Sequence, residues 1–97
     1  MLFIATCIDK PDCQAKRLGR RPAHLVYLAS LGAKLRAAGA LLDPAGQSPI
    51  GSLLIFEAVD EADVRAALAA DPYTQGELFE SVDVKPWRQA LGVTMAG

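Results

Sequence analysis

The chain carries a single histidine, His24, and it heads an apolar helical stripe. Leu28, Leu31 and Leu35 follow it at i+4, i+7 and i+11, which is one face of a helix. Asp71 closes a second stripe, the next position after Val64, Ala67 and Leu68. A carboxylate beside an imidazole holds it in one tautomer and leaves the other nitrogen free to take a proton. Arg20 and Arg21 stand just before the expected helix start, where free N–H groups favour an anion. Tyr73 and Trp87 are candidate pocket walls, and with the two arginines they make up the candidate substrate-binding set. A second reading stands beside each of these. His24 can be a hydrogen-bonded core residue and Asp71 a cap for the turn that Pro72 opens. Arg20 and Arg21 can be a solvated pair, and the two aromatics can be core. Cys7 and Cys13 have no partner base and fit neither a redox CxxC nor a zinc spacing. No glycine-rich phosphate loop, metal-ligand cluster or serine-hydrolase motif is present in the sequence, so neither a metal nor a cofactor is expected.

Positioning His24 against Asp71 requires particular elements. Leu2 to Ile8 reads as a strand that is apolar on both faces, Leu2, Ile4, Thr6 and Ile8 against Phe3, Ala5 and Cys7. Cys13 to Arg20 fits a short helix or an irregular cationic loop. Pro22 suits a first helical turn, and the periodicity carries a helix to Ala38, with Gly39 as its stop. His24 then lies about three residues into that helix, where the dipole disfavours imidazolium while Asp71 favours it. Ala40 to Leu42 reads as a short second strand and Ser52 to Ala58 as a third, again apolar on both faces. Asp60 is an N-cap with Asp63 at the capping-box position, and Val59 with Val64 forms the expected hydrophobic staple. Pro72 ends that second helix, and Leu78 to Val84 alternates as a fourth strand with one polar face.

The order βαββαβ makes an α+β ferredoxin-like sandwich, with two antiparallel helices on one face of a four-stranded sheet. The start of the first helix then meets the end of the second, which delivers His24 and Asp71 to one edge. Two helices cover one sheet face only. The second apolar face calls for a cover, and a second copy of the chain is the simplest one. So short a chain buries roughly 60–70% of its surface on folding, yet 52% of its residues are apolar, which is generous for so small a body. A homodimer is therefore expected.

Ten Lys and Arg against eleven Asp and Glu leave a net charge of −1. With no basic excess, nucleic acid is not an expected partner. The apolar opening meets Asp9 and Lys10 at once and lacks a basic leader, so neither a signal peptide nor a membrane span is expected. A cytoplasmic protein with two reduced thiols follows.

Four stretches then resemble a known family: Arg21-Pro22-Ala23-His24, Gly51 to Ala58, Ala70-Asp71-Pro72-Tyr73, and Leu78 to Trp87. Together they are similar to the YCII-related (YciI-like) family, over nearly the whole chain, read as a single domain spanning 1–97. The resemblance implies a ferredoxin-like fold assembled as a dimeric α/β barrel, and it implies that His24 and Asp71 are the active-site pair. It also implies kinship with muconolactone-isomerase-like and dehydrochlorinase-like enzymes. The loop from Pro44 to Pro49 departs from the family pattern. A cofactor-independent isomerase or lyase acting on a small anionic or enolisable molecule is one expectation. The other is a non-catalytic small-molecule-binding or regulatory homodimer.

Overall fold

Strand β1 (Leu2–Asp9) sits inside the sheet, paired along both edges, and both of its faces are largely apolar. The structure is a computed structural model that describes residues 1–93; the end of the expected 1–97 domain, 94–97, lies outside the described residues. After β1 come α1 (Gln14–Ser30), a 3₁₀ turn (Gly32–Lys34), β2 (Leu35–Leu42), β3 (Pro49–Glu57), α2 (Glu61–Ala69), the short α3 (Pro72–Gln75) and β4 (Phe79–Trp87). The sheet order is β2-β3-β1-β4, with every neighbouring pair antiparallel. This is the expected α+β ferredoxin-like arrangement.

Register assigns the two faces of the sheet. Phe3, Ala5 and Cys7 pair with Phe56, Leu54 and Ser52. All six are buried, and the apolar ones form one core with Leu28 of α1 and Val64, Ala67 and Leu68 of α2. The opposite face carries Ile4, Thr6, Ile8 and Leu53, half-buried within the protomer, together with the buried Ile55. On that face β4 contributes the exposed Ser81, Asp83 and Lys85, so its alternation reads as expected. Gly51 is required by close approach: a Cβ there would stand 2.4 Å from the Cys7 carbonyl oxygen.

Several expectations are corrected. Helix α1 begins at Gln14, eight residues before Pro22, so Arg20 and Arg21 lie inside it. Pro22 is exposed, where the carbonyl it leaves unbonded faces water, and the buried contacts of Arg17, His24 and Leu28 hold the helix across it. The helix stops at Gly32, whose φ of +57° is the left-handed stop, and not at Gly39. Leu35 to Ala38, assigned to helix by periodicity, instead pairs with β3, because the sheet gains a whole ladder of hydrogen bonds there. The Asp60 cap forms as expected, with Asp63 N–H donating to Asp60 Oδ1 at 2.9 Å, while the Asp63 carboxylate reaches back one residue further than a capping box, to the Val59 N–H at 3.4 Å. The staple does not, since Val59 is 87% exposed.

Candidate active site

His24 lies on the third turn of α1, on the face turned to the sheet, and is buried. Asp71 follows α2 and precedes Pro72, which keeps it extended (φ −67°, ψ 131°). That conformation makes Asp71 the N-cap of α3, and its Oδ1 accepts the Tyr73 N–H at 2.9 Å. The same carboxylate faces His24 Nδ1, with Oδ1 at 2.8 Å and Oδ2 at 2.9 Å. The cap and the pair, which the sequence presented as alternatives, are one arrangement. A carboxylate can only accept, so in the neutral imidazole Nδ1 carries the proton and Nε2 the lone pair. Among the described residues no group hydrogen-bonds Nε2, and His24 lines a cavity of about 130 Å³. The helix dipole no longer counts, because His24 is well beyond the first turn. Asp71 remains as the electrostatic partner.

Tyr73 completes the support. Its ring stacks on the His24 imidazole with centroids 3.8 Å apart and planes 13° apart, and it is 1% exposed. Burial pushes the Tyr73 phenol up, and the charges of Arg17 and Arg21 partly oppose that rise. Both arginines line the His24 cavity, with Ser52, Leu28 and Tyr73. The cavity exists because β2 offers only Ala38, Gly39 and Ala40 along this wall, and no larger side chain fills the space.

The sequence reading missed Arg17. It is buried, and it donates to both Asp9 oxygens at 2.7 and 2.9 Å and to Ser52 Oγ at 2.9 Å. Its guanidinium also sits 4.7 Å from the Tyr73 ring centre. Burial works against its charge, and the bonds to Asp9 more than offset that, so its pKa is raised. A signal existed: Arg17 lies seven residues before His24, on the same stripe. Leaving Cys13 to Arg20 as a short helix or an irregular loop, apart from the long helix begun at Pro22, concealed it.

The remaining candidates divide. Arg21 reaches the cavity. Arg20 does not; it donates to the Pro72 carbonyl at 3.3 Å and packs where Gly76 leaves room for its guanidinium. Trp87 stands apart as well. It pairs with Leu2, at the opposite end of β1 from the Cys7–Ser52 pair, and lines a separate cavity with Met1 and Glu57. Five residues of strand separate the two places, roughly 16 Å. Cys7 lies under the site, but burial, before the nearby carboxylates, pushes its thiol up to about 12, which leaves it inert. Among the described residues, no group of three or more His, Cys, Asp or Glu stands where it could hold a metal ion, and no helix is long and apolar enough to cross a membrane.

Relatives share this framework. The protein YciI of Escherichia coli O6:H1 and that of Shigella flexneri are each 36% identical over 100 residues, covering 94% of this chain and all of theirs. The 5-chloro-2-hydroxyhydroquinone dehydrochlorinase TftG of Burkholderia phenoliruptrix AC1100, solved with 2,5-dihydroxybenzoquinone, superposes with a TM-score of 0.86 at 32% identity. That match covers 93% of this chain and 96% of TftG. SnoaB, a cofactor-independent oxygenase of Streptomyces nogalater, shares the fold alone, with a TM-score of 0.60 at 12% identity over 93% of this chain and 95% of its own. The model of the YCII-related domain matches residues 1–88. With that match and the YciI relatives, the chain belongs to the YCII-related domain family.

Proposed function

We propose that this protein is a cofactor-independent isomerase or lyase that moves a proton on a small enolisable, anionic substrate. The observation that carries this reading is the unshared Nε2 of His24, open to a cavity while Asp71 holds Nδ1. In the proposed step Nε2 takes a proton from a ring hydroxyl or from a carbon beside a carbonyl. The electron pair left behind moves into the conjugated system. In an isomerisation His24 returns the proton at another atom. In a lyase step on a chlorinated hydroxyquinol His24 delivers that proton to the ring carbon bearing chlorine, giving a keto tautomer. A second hydroxyl proton then passes by way of His24 to water, its O–H pair moves into the ring system, and chloride departs with the C–Cl pair. Asp71 holds the imidazole in the required tautomer and stabilises the imidazolium that forms. Tyr73 fixes the plane of the ring, and Arg21 balances the charge that develops on the substrate.

The dehydrochlorinase chemistry of TftG supports a hydroxylated ring as the substrate class. The proposed working form is a homodimer, supported by the half-buried Ile4, Thr6, Ile8 and Leu53 on the sheet face that no helix covers. The test is chloride release from 5-chloro-2-hydroxyhydroquinone, in wild type and His24→Gln. Release above buffer that disappears in the folded variant supports the reading. Binding of 2,5-dihydroxybenzoquinone with no release from any chlorinated hydroxyquinol favours a ligand-binding dimer instead. Absence of both turnover and binding rejects the site. Light scattering of the same samples tests the dimer, and a stable monomer at micromolar concentration rejects it.

A further inference from the structure

The His24 cavity has a neighbour. A chamber of about 270 Å³ lies against the outer side of α1, walled by Gln14 and Leu18 of the helix and by Gln47, Ser48 and Pro49 at the start of β3. The two spaces share Arg17, Arg21 and Ala40, so they meet along one rim. Size argues that the inner space is not a whole site. At about 130 Å³ it is close to the cavity of about 150 Å³ that holds one benzene. Ligand sites ordinarily measure roughly 300–1,000 Å³, a range that the two spaces reach only together.

Charge narrows the occupant. No Asp or Glu lines either space. The Arg17 charge is already matched by Asp9, and Arg20 is turned to the Pro72 carbonyl. Arg21 has neither an ion pair nor a hydrogen bond among the described residues, and its charge is felt at the Tyr73 phenol. One unbalanced cation therefore stands where the two spaces meet. The outer chamber offers Leu18, 73% exposed, and Pro49 as apolar walls, with amide and hydroxyl groups between them.

We propose that the two spaces are the lobes of one substrate cleft, with Arg21 at their junction as the anchor for a carboxylate. This rests on the reading of His24 as the proton-transfer site and names its substrate class. A single enolisable or hydroxylated ring sits at His24, an attached carbon bears the carboxylate, and an uncharged, largely apolar chain runs into the outer lobe.

Calorimetric titration with three probes tests this on the whole chain: 2,5-dihydroxyphenylacetate, 2-(2,5-dihydroxyphenyl)hexanoate and 2-(2,5-dihydroxyphenyl)hexanamide. The hexanoate is expected to bind about tenfold or more tightly than the acetate, because each buried methylene strengthens binding several-fold. The amide is expected to bind about tenfold more weakly than the hexanoate, for want of a charge-assisted pair. Arg21→Gln should erase the preference for acid over amide. Leu18→Trp, at an exposed position that folding does not depend on, should bring the hexanoate-to-acetate ratio to about one. Equal affinity of hexanoate and acetate for wild type overturns the proposal. So does an acid preference that survives in Arg21→Gln, or failure of every probe to bind. If these ratios fail while wild type still releases chloride from the chlorinated hydroxyquinol, the cleft is refuted and the His24 site stands. If the ratios hold without turnover, the cleft stands as a binding site.

Discussion

Two buried ionisable pairs lie about two turns apart on the same helix stripe, and they are built differently. Arg17 and Asp9 satisfy each other through two hydrogen bonds, and Ser52 takes a third. His24 and Asp71 are equally buried, yet only Nδ1 is engaged and Nε2 faces the cavity. A closed pair can only hold structure. An open one leaves chemical capacity unspent at a defined atom, and on that ground we propose it as the site.

The largest expected difference between the pairs is in stability. Arg17→Met strands the Asp9 carboxylate among apolar neighbours, a loss of about 3–5 kcal/mol. His24→Gln costs less, about 1–2 kcal/mol, because Asp71 keeps the Tyr73 N–H and a cavity that water can enter. Thermal melting should therefore show a drop for Arg17→Met at least about twice that for His24→Gln. The reverse order would make His24 the structural residue and erase the distinction.

A smaller effect follows from the packing beneath the open pair. Cys7 is fully buried, and its thiol is raised to about 12, whereas Cys13 is only partly covered at the start of α1. Iodoacetamide at pH 8 should modify Cys13 in the native protein and leave Cys7 untouched until unfolding. Native modification of Cys7 would mean that the floor of the site opens.

The smallest effect belongs to a surface pair, Lys34 with Asp63, which sets the lower limit of the comparison. The Lys34 hydrogen bond, followed by that from Val59 N–H, holds the Asp63 carboxyl below its ordinary value. A folded pKa below the unfolded one gives stability above the unfolded value, about 3.9, that is lost as pH falls through the folded value. Asp63→Asn should accordingly flatten the decline in melting temperature below about pH 4, by a small amount for so exposed a pair. An unchanged acid limb would remove Asp63 from the account.

Parts of this were legible in the sequence for identifiable reasons. Asp60 and Asp63 announced a helix start by a local rule, and a local hydrogen bond obeys it. Asp71 stood on an apolar stripe directly before a proline, and both features bear on where its carboxylate goes. Arg17 was hidden because its partners, Asp9 and Ser52, are eight and thirty-five residues away and lie on strands. The stretch from Leu35 to Ala38 fits a helix by periodicity, and only pairing with β3 makes it a strand. Trp87 looked like a pocket wall by type, while the register of β4 sends it to the far end of β1. The local rules at Asp60 and Asp71 held, those at Pro22, Gly39 and Val59 did not, and long-range pairing decided the rest.

The central claim concerns one atom, and the chain's single histidine makes it directly observable. In tag-free protein carrying ¹⁵N-labelled histidine, every imidazole signal comes from His24. On the basic limb of its titration, the neutral ring should carry its proton on Nδ1, with the unprotonated Nε2 responding when 2,5-dihydroxybenzoquinone is added. A neutral ring protonated at Nε2, with Nδ1 bare beside Asp71, would contradict the account.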